Sequence, residues 1–105
     1  MKKFIGNAFS INMLKETSAT VEFKQLSLED AAVASVNAIS AVGHADIAQV
    51  FSSTLGVVIP ENRLSVTLDK GDVLIVGQYT GPRLPEGCKI LPKGATIVWW
   101  QVEVK

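Results

Sequence analysis

An almost continuous apolar run, Val73 to Tyr79, is the feature that most restricts the fold of this chain. A strand of this kind belongs at the centre of a sheet, where other elements cover both of its faces. The length of 105 residues allows one such domain and not two. Hydrophobic residues make up 48% of the chain and charged residues 19%, which is enough to bury a core. We therefore expect a single domain over residues 1–105 with a layered sheet.

Two helices are predicted between the strands. The first follows Ser27, which has the residue type of an N-cap, and runs to about Val36. The second runs from about His44 to Leu55, and Gly56 follows it at a position where glycine commonly ends helices. The predicted buried positions are Leu28, Val33 and Val36 in the first helix and Ile47, Val50, Phe51 and Leu55 in the second.

The remaining apolar patterns predict strands. Besides the central run, we expect strands at 3–6, 20–24, 38–42, 63–68 and 95–104, and one or two helical turns capped by Ser10. The alternation in 63–68 and the turn that follows it predict an antiparallel hairpin with the central strand. The loop at 81–94 holds three prolines and three glycines. The predicted fold class is α/β, with a mixed central β-sheet of about five strands flanked by helices.

Charge and apolar patterning exclude several classes of partner. Ten basic and ten acidic residues cancel, so no overall field favours a long nucleic acid. Cys88 is the only cysteine, which rules out a disulfide within the chain. Polar residues interrupt the first apolar run, which is therefore not a signal peptide, and no stretch approaches the roughly 18 residues that span a bilayer. The sequence predicts a cytoplasmic protein with no membrane partner.

Several residues with useful chemistry follow predicted strands. Asn7 and Ser10 follow the first strand, His44 follows a middle strand, and Arg83 with Glu86 follows the central one. Each has a structural explanation when taken alone, namely a capped turn, a helix-capping histidine and an exposed ion pair. In an open α/β sheet, however, the loops at one edge gather ligand-binding groups. Together, an arginine, a histidine and a carboxylate beside helix N-terminal amides suit cleavage of a phosphodiester.

No metal or cofactor site is predicted. One histidine, one cysteine and scattered acidic residues do not form a zinc or iron site. Neither usual spacing of a phosphate-binding glycine-rich loop occurs.

Four segments resemble the viral anti-CRISPR ring nuclease family. They are Asn7–Leu14 (NAFSINML), Val42–His44, Pro60–Arg63 and Arg83–Gly87, and they occur in order across nearly the whole chain. The first segment is specific over eight residues, whereas the shorter ones are informative only together.

The resemblance implies a homodimer that binds cyclic tetra-adenylate across its two-fold axis and cuts it to linear di-adenylate products without a metal or cofactor. This would switch off type III CRISPR signalling, in the host cytoplasm if the gene is viral. By resemblance, His44 is the general acid, and Arg83 and Glu86 complete the catalytic set. The implied ligand-binding residues are Asn7, Ala8, Phe9, Ser10, Ile11, Gly43, His44 and Arg83.

Elementary chemistry agrees with these roles. A ribose 2′-OH can attack its own phosphate, His44 can protonate the leaving 5′-oxygen, and Arg83 can hold the non-bridging oxygens. Glu86 would orient either Arg83 or the 2′-OH. A C2 dimer would present two such sites to one ring.

The chain departs from the family pattern at two places, and two other functions stay open. Many members have a glutamine directly before the arginine motif, but here Tyr79-Thr80-Gly81-Pro82 separates Gln78 from Arg83. Many members also have a helix after that motif, whereas 88–94 is too short and too rich in proline and glycine for one. The alternatives are a protein that sequesters a cyclic oligonucleotide without cutting it, and a viral regulatory protein that binds DNA or another protein.

Overall fold

A computed structural model describes all 105 residues and has the predicted mixed sheet. The strands are β1 (Lys3–Gly6), β2 (Val21–Leu26), β3 (Ile39–Ser40), β4 (Val73–Thr80) and β5 (Thr96–Val104). A short 3₁₀ helix covers Ile11–Met13, and the α-helices are α1 (Leu28–Ser35) and α2 (Ala45–Leu55).

The five strands lie in the order β2-β5-β4-β1-β3. Strands β3, β1 and β4 are parallel to one another, and β5 is antiparallel to both β4 and β2. The apolar run is the central strand β4, as predicted, and Leu74, Ile75 and Val76 are buried within it.

The core lies on both faces of this sheet, because successive strand residues point to opposite sides. Both α-helices cover one face, where the buried side chains include Ile5, Phe51, Ile75 and Trp99. The 3₁₀ helix and the irregular segment 61–68 lie against the other face, where the buried side chains include Phe4, Leu68, Val76 and Val102. The core therefore has two apolar layers, and only one of them is helical.

The helix ends follow the sequence signals. The Ser27 side chain accepts a hydrogen bond from the Asp30 N–H at 3.1 Å, so it caps α1 as predicted. His44 stands at the N-cap of α2, and Gly56 ends that helix with a left-handed φ of 70°. The predicted apolar positions of α2 are all buried: Ile47, Val50, Phe51 and Leu55.

The prediction for the buried face of α1 was wrong. Leu28 and Val36 are about half exposed and Val33 is 74% exposed, whereas Ala31 and Ser35 are buried. This helix packs through its small residues, and the Ser35 hydroxyl is satisfied inside the helix by the Ala31 carbonyl at 2.6 Å. Apolar periodicity does not reveal such a face, because its members are not the large residues of the helix.

The predicted hairpin between 63–68 and β4 was also wrong. Both edges of β4 are occupied, one by β1 and the other by β5. The 63–68 segment instead contacts the 3₁₀ region, where the Leu68 N–H donates to the Met13 carbonyl at 2.7 Å. The alternation predicts Leu64, Val66 and Leu68 as inward-facing. Val66 and Leu68 are buried but Leu64 is 40% exposed, so the pattern was right for two of the three residues and did not identify their partner.

The topology brings three loops together at one end of the parallel strands. Because β1, β3 and β4 are parallel neighbours, their carboxyl ends meet there, and each continues into a loop. These loops carry Asn7, His44 and Arg83, respectively. No helix in the structure has the length and apolar character needed to cross a membrane.

Candidate functional site

A cavity of about 460 Å³ opens at this edge of the sheet. Three of the predicted site residues, Asn7, His44 and Arg83, line it together. Its other lining residues are Asp46, Ile47, Gln78, Tyr79 and Leu84. The convergence predicted from strand order therefore occurs within a single chain.

The His44 side chain is exposed and does not cap the helix that it precedes. Its backbone is extended, with φ −128° and ψ 132°, as is usual for an N-cap residue. Its side chain nevertheless makes no capping hydrogen bond. The capping explanation therefore does not account for this histidine, whose ring is available to a ligand beside the first turn of α2.

A second segment fixes the backbone that leads into His44. The Asn62 side-chain amide donates to the Ser40 carbonyl at 2.7 Å, and the Asn62 backbone N–H donates to the Val42 carbonyl at 2.8 Å. Arg63 then donates from Nε to the Gly43 carbonyl at 3.2 Å. The path of residues 40–43 is thereby held in place just before the histidine.

Arg63 is a residue to which sequence reasoning gave no role. Together with Gly43 and His44 it lines a second cavity of about 380 Å³. A basic residue inside the Pro60–Arg63 segment was the only signal available, and nothing in the sequence shows that this segment returns to the histidine. His44 therefore lies between two cavities, each of which has an arginine in its wall.

The loop that carries Arg83 has no helix or strand between β4 and β5. It is fastened near its start, where the Tyr79 hydroxyl donates to the Pro82 carbonyl at 2.5 Å. It is fastened again near its tip, where the Gly87 N–H donates to Asp46 Oδ1 at 3.3 Å. The extra residues between Gln78 and Arg83 do not remove Arg83 from the site, since both side chains line the same cavity.

The other predicted site residues are spread more widely. Glu86 is exposed in the same loop but does not line the His44 cavity. Ser10 caps the 3₁₀ helix by accepting the Asn12 N–H at 3.3 Å, and Ala8 and Ile11 are exposed.

Phe9 lies in a neighbouring apolar groove of about 320 Å³ on the sheet face without α-helices. Its ring packs edge-on against Phe23, with ring centroids 5.6 Å apart. Gln78 lines both this groove and the His44 cavity, so the two are adjacent.

Two arginines beside His44 offer positive charge to an anion, and Asp46 is the one acidic residue in the walls of the two cavities. Arg63 and Arg83 are both exposed, and neither takes part in an ion pair within the chain. The Arg83 guanidinium and the terminal nitrogens of Arg63, whose Nε donates to Gly43, therefore remain available for phosphate oxygens, to which arginine binds with bidentate geometry. No group of three or more His, Cys, Asp or Glu side chains is arranged to hold a metal ion.

Comparison with known proteins shows similarity to one protein family and to solved structures. The model of the STIV B116-like family matches residues 3–93. The solved structure of B116 from Sulfolobus turreted icosahedral virus (STIV), a viral protein, is similar to this chain with a TM-score of 0.83 and 29% sequence identity. That similarity covers 98% of this chain and 99% of the viral one. No curated protein sequence matches the chain.

Proposed function

The chain belongs to the STIV B116-like family, and from that premise we propose that it is a metal-independent ring nuclease for cyclic tetra-adenylate. Cutting the ring to linear di-adenylates would switch off type III CRISPR signalling. The observation that carries this proposal is the cavity in which His44 and Arg83 meet. A proton donor and an unpaired guanidinium beside helix N-terminal amides form a site suited to a phosphodiester.

In the proposed reaction, the ribose 2′-oxygen attacks the adjacent phosphorus and the bond to the 5′-oxygen breaks. A 2′,3′-cyclic phosphate forms, and no water is consumed in this step. The leaving 5′-oxygen takes a proton from the His44 imidazolium, while the 2′-OH gives its proton to solvent water. His44 then takes up a proton from solvent, which restores the imidazolium for the next cut. Protonation of the leaving group is the contribution of a general acid, typically worth about 10²–10⁴-fold in rate.

Arg83 holds the non-bridging phosphate oxygens as negative charge grows on them. Its lack of an ion-pair partner within the chain supports this role, because no internal contact has to be broken first. Glu86 lies three residues later in the same loop and orients either Arg83 or the 2′-OH in the bound complex. Asn7, which lines the same cavity, contributes a polar contact to the nucleotide.

A homodimer completes the proposal. Cyclic tetra-adenylate has a two-fold axis, so a C2 pair of chains can present equivalent His44 residues to opposite phosphates. Two cuts of one ring then yield two di-adenylates. The formal net charge of zero does not oppose this arrangement, because each copy brings its own Arg83 to one small ligand.

The test is cleavage of cyclic tetra-adenylate in the presence of EDTA, with the products resolved by chromatography. We expect the wild-type protein to release linear di-adenylate. We expect His44→Ala to bind the ring nearly as well and to cut it at least about 10²-fold more slowly, since only the proton donor is lost.

The alternatives give different results in the same assay. Tight binding by the wild type with an intact ring would replace the enzyme by a sequestering protein. No binding of the ring at all would favour a regulatory protein with a DNA or protein partner. An unchanged rate in His44→Ala would move the proton donor to another residue.

A further inference from the structure

A carboxylate lies in the wall of the cavity to which we assign an anion. Asp46 lines this cavity with His44 and Arg83, and it is half-buried. A negative charge at this position opposes binding of a phosphodiester, because like charges repel in a partly dehydrated site. Its presence therefore calls for a function other than contact with the ligand.

The hydrogen bond of the Asp46 side chain indicates that function. Its Oδ1 accepts the N–H of Gly87, which is 41 residues away in the sequence and directly follows Glu86. Asp46 itself lies in the first turn of α2, two residues after His44. One side chain thus joins the helix that begins at the proposed general acid to the loop that carries the proposed phosphate ligand.

We propose that Asp46 is a positioning residue that holds the 81–94 loop against α2 and so sets the place of Arg83 relative to His44. The inference rests on the proposed function for the role of Arg83. The loop has no helix or strand of its own, and Tyr79 fastens only its first residues. Leu84 also packs against the core that includes Ile47 of α2, so the bond at Gly87 is the polar attachment of this part of the loop to the helix. Without that bond, the segment from Arg83 to Gly87 is held to the helix only by the apolar contact of Leu84.

A simpler role for Asp46 is stabilisation of the α2 N-terminus by its charge, which acts favourably on the helix dipole. Glu29 provides the matched control, because it occupies the same second position of α1 and is exposed without a hydrogen bond to any loop. If Asp46 acts on its helix alone, Asp46→Ala and Glu29→Ala should have similar effects on stability and neither should change the loop. Attachment of the loop predicts a change in the loop only for Asp46→Ala.

Limited digestion of the folded protein with trypsin measures the loop directly, since Arg83–Leu84 is a cleavable bond within it. Loss of one exposed hydrogen bond corresponds to about a fivefold increase in opening, and we expect cleavage at this bond to rise by about that factor in Asp46→Ala. Glu29→Ala should cleave as the wild type does. Asp46→Asn should stay within about twofold of the wild type, because its amide oxygen still accepts the Gly87 N–H.

Turnover of cyclic tetra-adenylate provides the second measurement. We expect Asp46→Ala to lower kcat/KM by about fivefold to tenfold, and Asp46→Asn to restore most of it. Equal cleavage of Asp46→Ala and Glu29→Ala at Arg83–Leu84 would overturn the inference, as would an Asp46→Asn protein as loose as Asp46→Ala. If the wild type does not cut the ring, the proposed function fails, and the digestion comparison alone still decides whether Asp46 holds the loop.

Discussion

At the scale of single residues, the most constrained charge in the molecule is the carboxylate of Asp72. It is 3% exposed, and it accepts the Lys2 N–H at 2.8 Å and the Asp69 N–H at 2.9 Å. Burial alone would raise the pKa of this carboxyl. The two backbone hydrogen bonds, the N-terminal charge and the Lys2 charge outweigh burial, so its pKa lies below the ordinary value of 3.8.

The lowered pKa of Asp72 determines how stability depends on pH. A carboxyl whose folded pKa is depressed stabilises the fold fully above its unfolded pKa, and the effect is lost as the pH falls through the folded pKa. We expect Asp72→Asn to reduce the free energy of unfolding by roughly 1–3 kcal/mol near neutral pH, because one N–H then faces an amide donor. The difference in unfolding free energy between the variant and the wild type should shrink below about pH 4, because Asp72 of the wild type becomes protonated as the pH falls.

Urea unfolding of both proteins across this acidic range measures the effect. Asp30→Asn is the control, since Asp30 is exposed in the first turn of α1. If the difference in unfolding free energy between the wild type and Asp72→Asn stays constant into strong acid, the lowered pKa of Asp72 is contradicted.

At the scale of elements, α2 and β5 bring two rings so close to β4 that Gly77 has no free space for a side chain. A Cβ added at Gly77 would lie 2.5 Å from Phe51 Cζ and 2.6 Å from Trp99 Cζ3. These two rings meet with centroids 4.8 Å apart directly over the strand. We expect Gly77→Ala to cost roughly 1–3 kcal/mol of stability, because two buried rings must move to admit the methyl group.

The matched control is Gly6→Ala in the neighbouring strand β1. A Cβ there would meet Leu74 at 3.6 Å, an ordinary contact, and this glycine has no positive φ. Thermal unfolding should therefore separate the two variants, with only Gly77→Ala melting at a clearly lower temperature. Equal melting temperatures would show that the ring pair adapts at no cost.

The two helices show why some elements could be read from the sequence and others could not. In α2, large apolar residues recur at helical spacing and Gly56 follows, so both its buried face and its end were predicted correctly. In α1, the buried face consists of Ala31 and Ser35, which leave no periodic hydrophobic signal. The cap at Ser27 was nevertheless predicted, because capping depends on local residue type rather than on packing.

The segment 63–68 shows a different limit. Its alternation is real, and Val66 and Leu68 are buried, but alternation does not specify which strand or loop is the partner. β4 is not the partner because β1 and β5 occupy both of its edges, which is a property of the whole sheet. Pairing across long sequence separation was therefore beyond the reach of local patterns.

At the scale of the whole molecule, the parallel strands at the centre of the sheet explain which site residues could be placed from the sequence and which could not. Asn7, His44 and Arg83 were assigned to one sheet edge because each follows a strand, and the structure brings all three to one cavity. Arg63 was missed because it follows no strand end and reaches the site only through its hydrogen bond to Gly43. Positions set by strand ends could be derived from the sequence, whereas positions set by returning loops could not.

The same arrangement predicts which chain supplies each group in the proposed dimer. His44 and Arg83 line one cavity of one chain, so we expect each centre to use both residues from the same subunit. A hybrid of one His44→Ala chain and one Arg83→Ala chain would then have no intact centre. We expect mixtures of the two variants, refolded together, to cut cyclic tetra-adenylate no faster than the separate variants, while native mass spectrometry of differently tagged chains verifies that hybrids form. Recovery of activity to a substantial fraction of the wild-type rate would contradict this, because it requires the histidine of one chain to act with the arginine of the other.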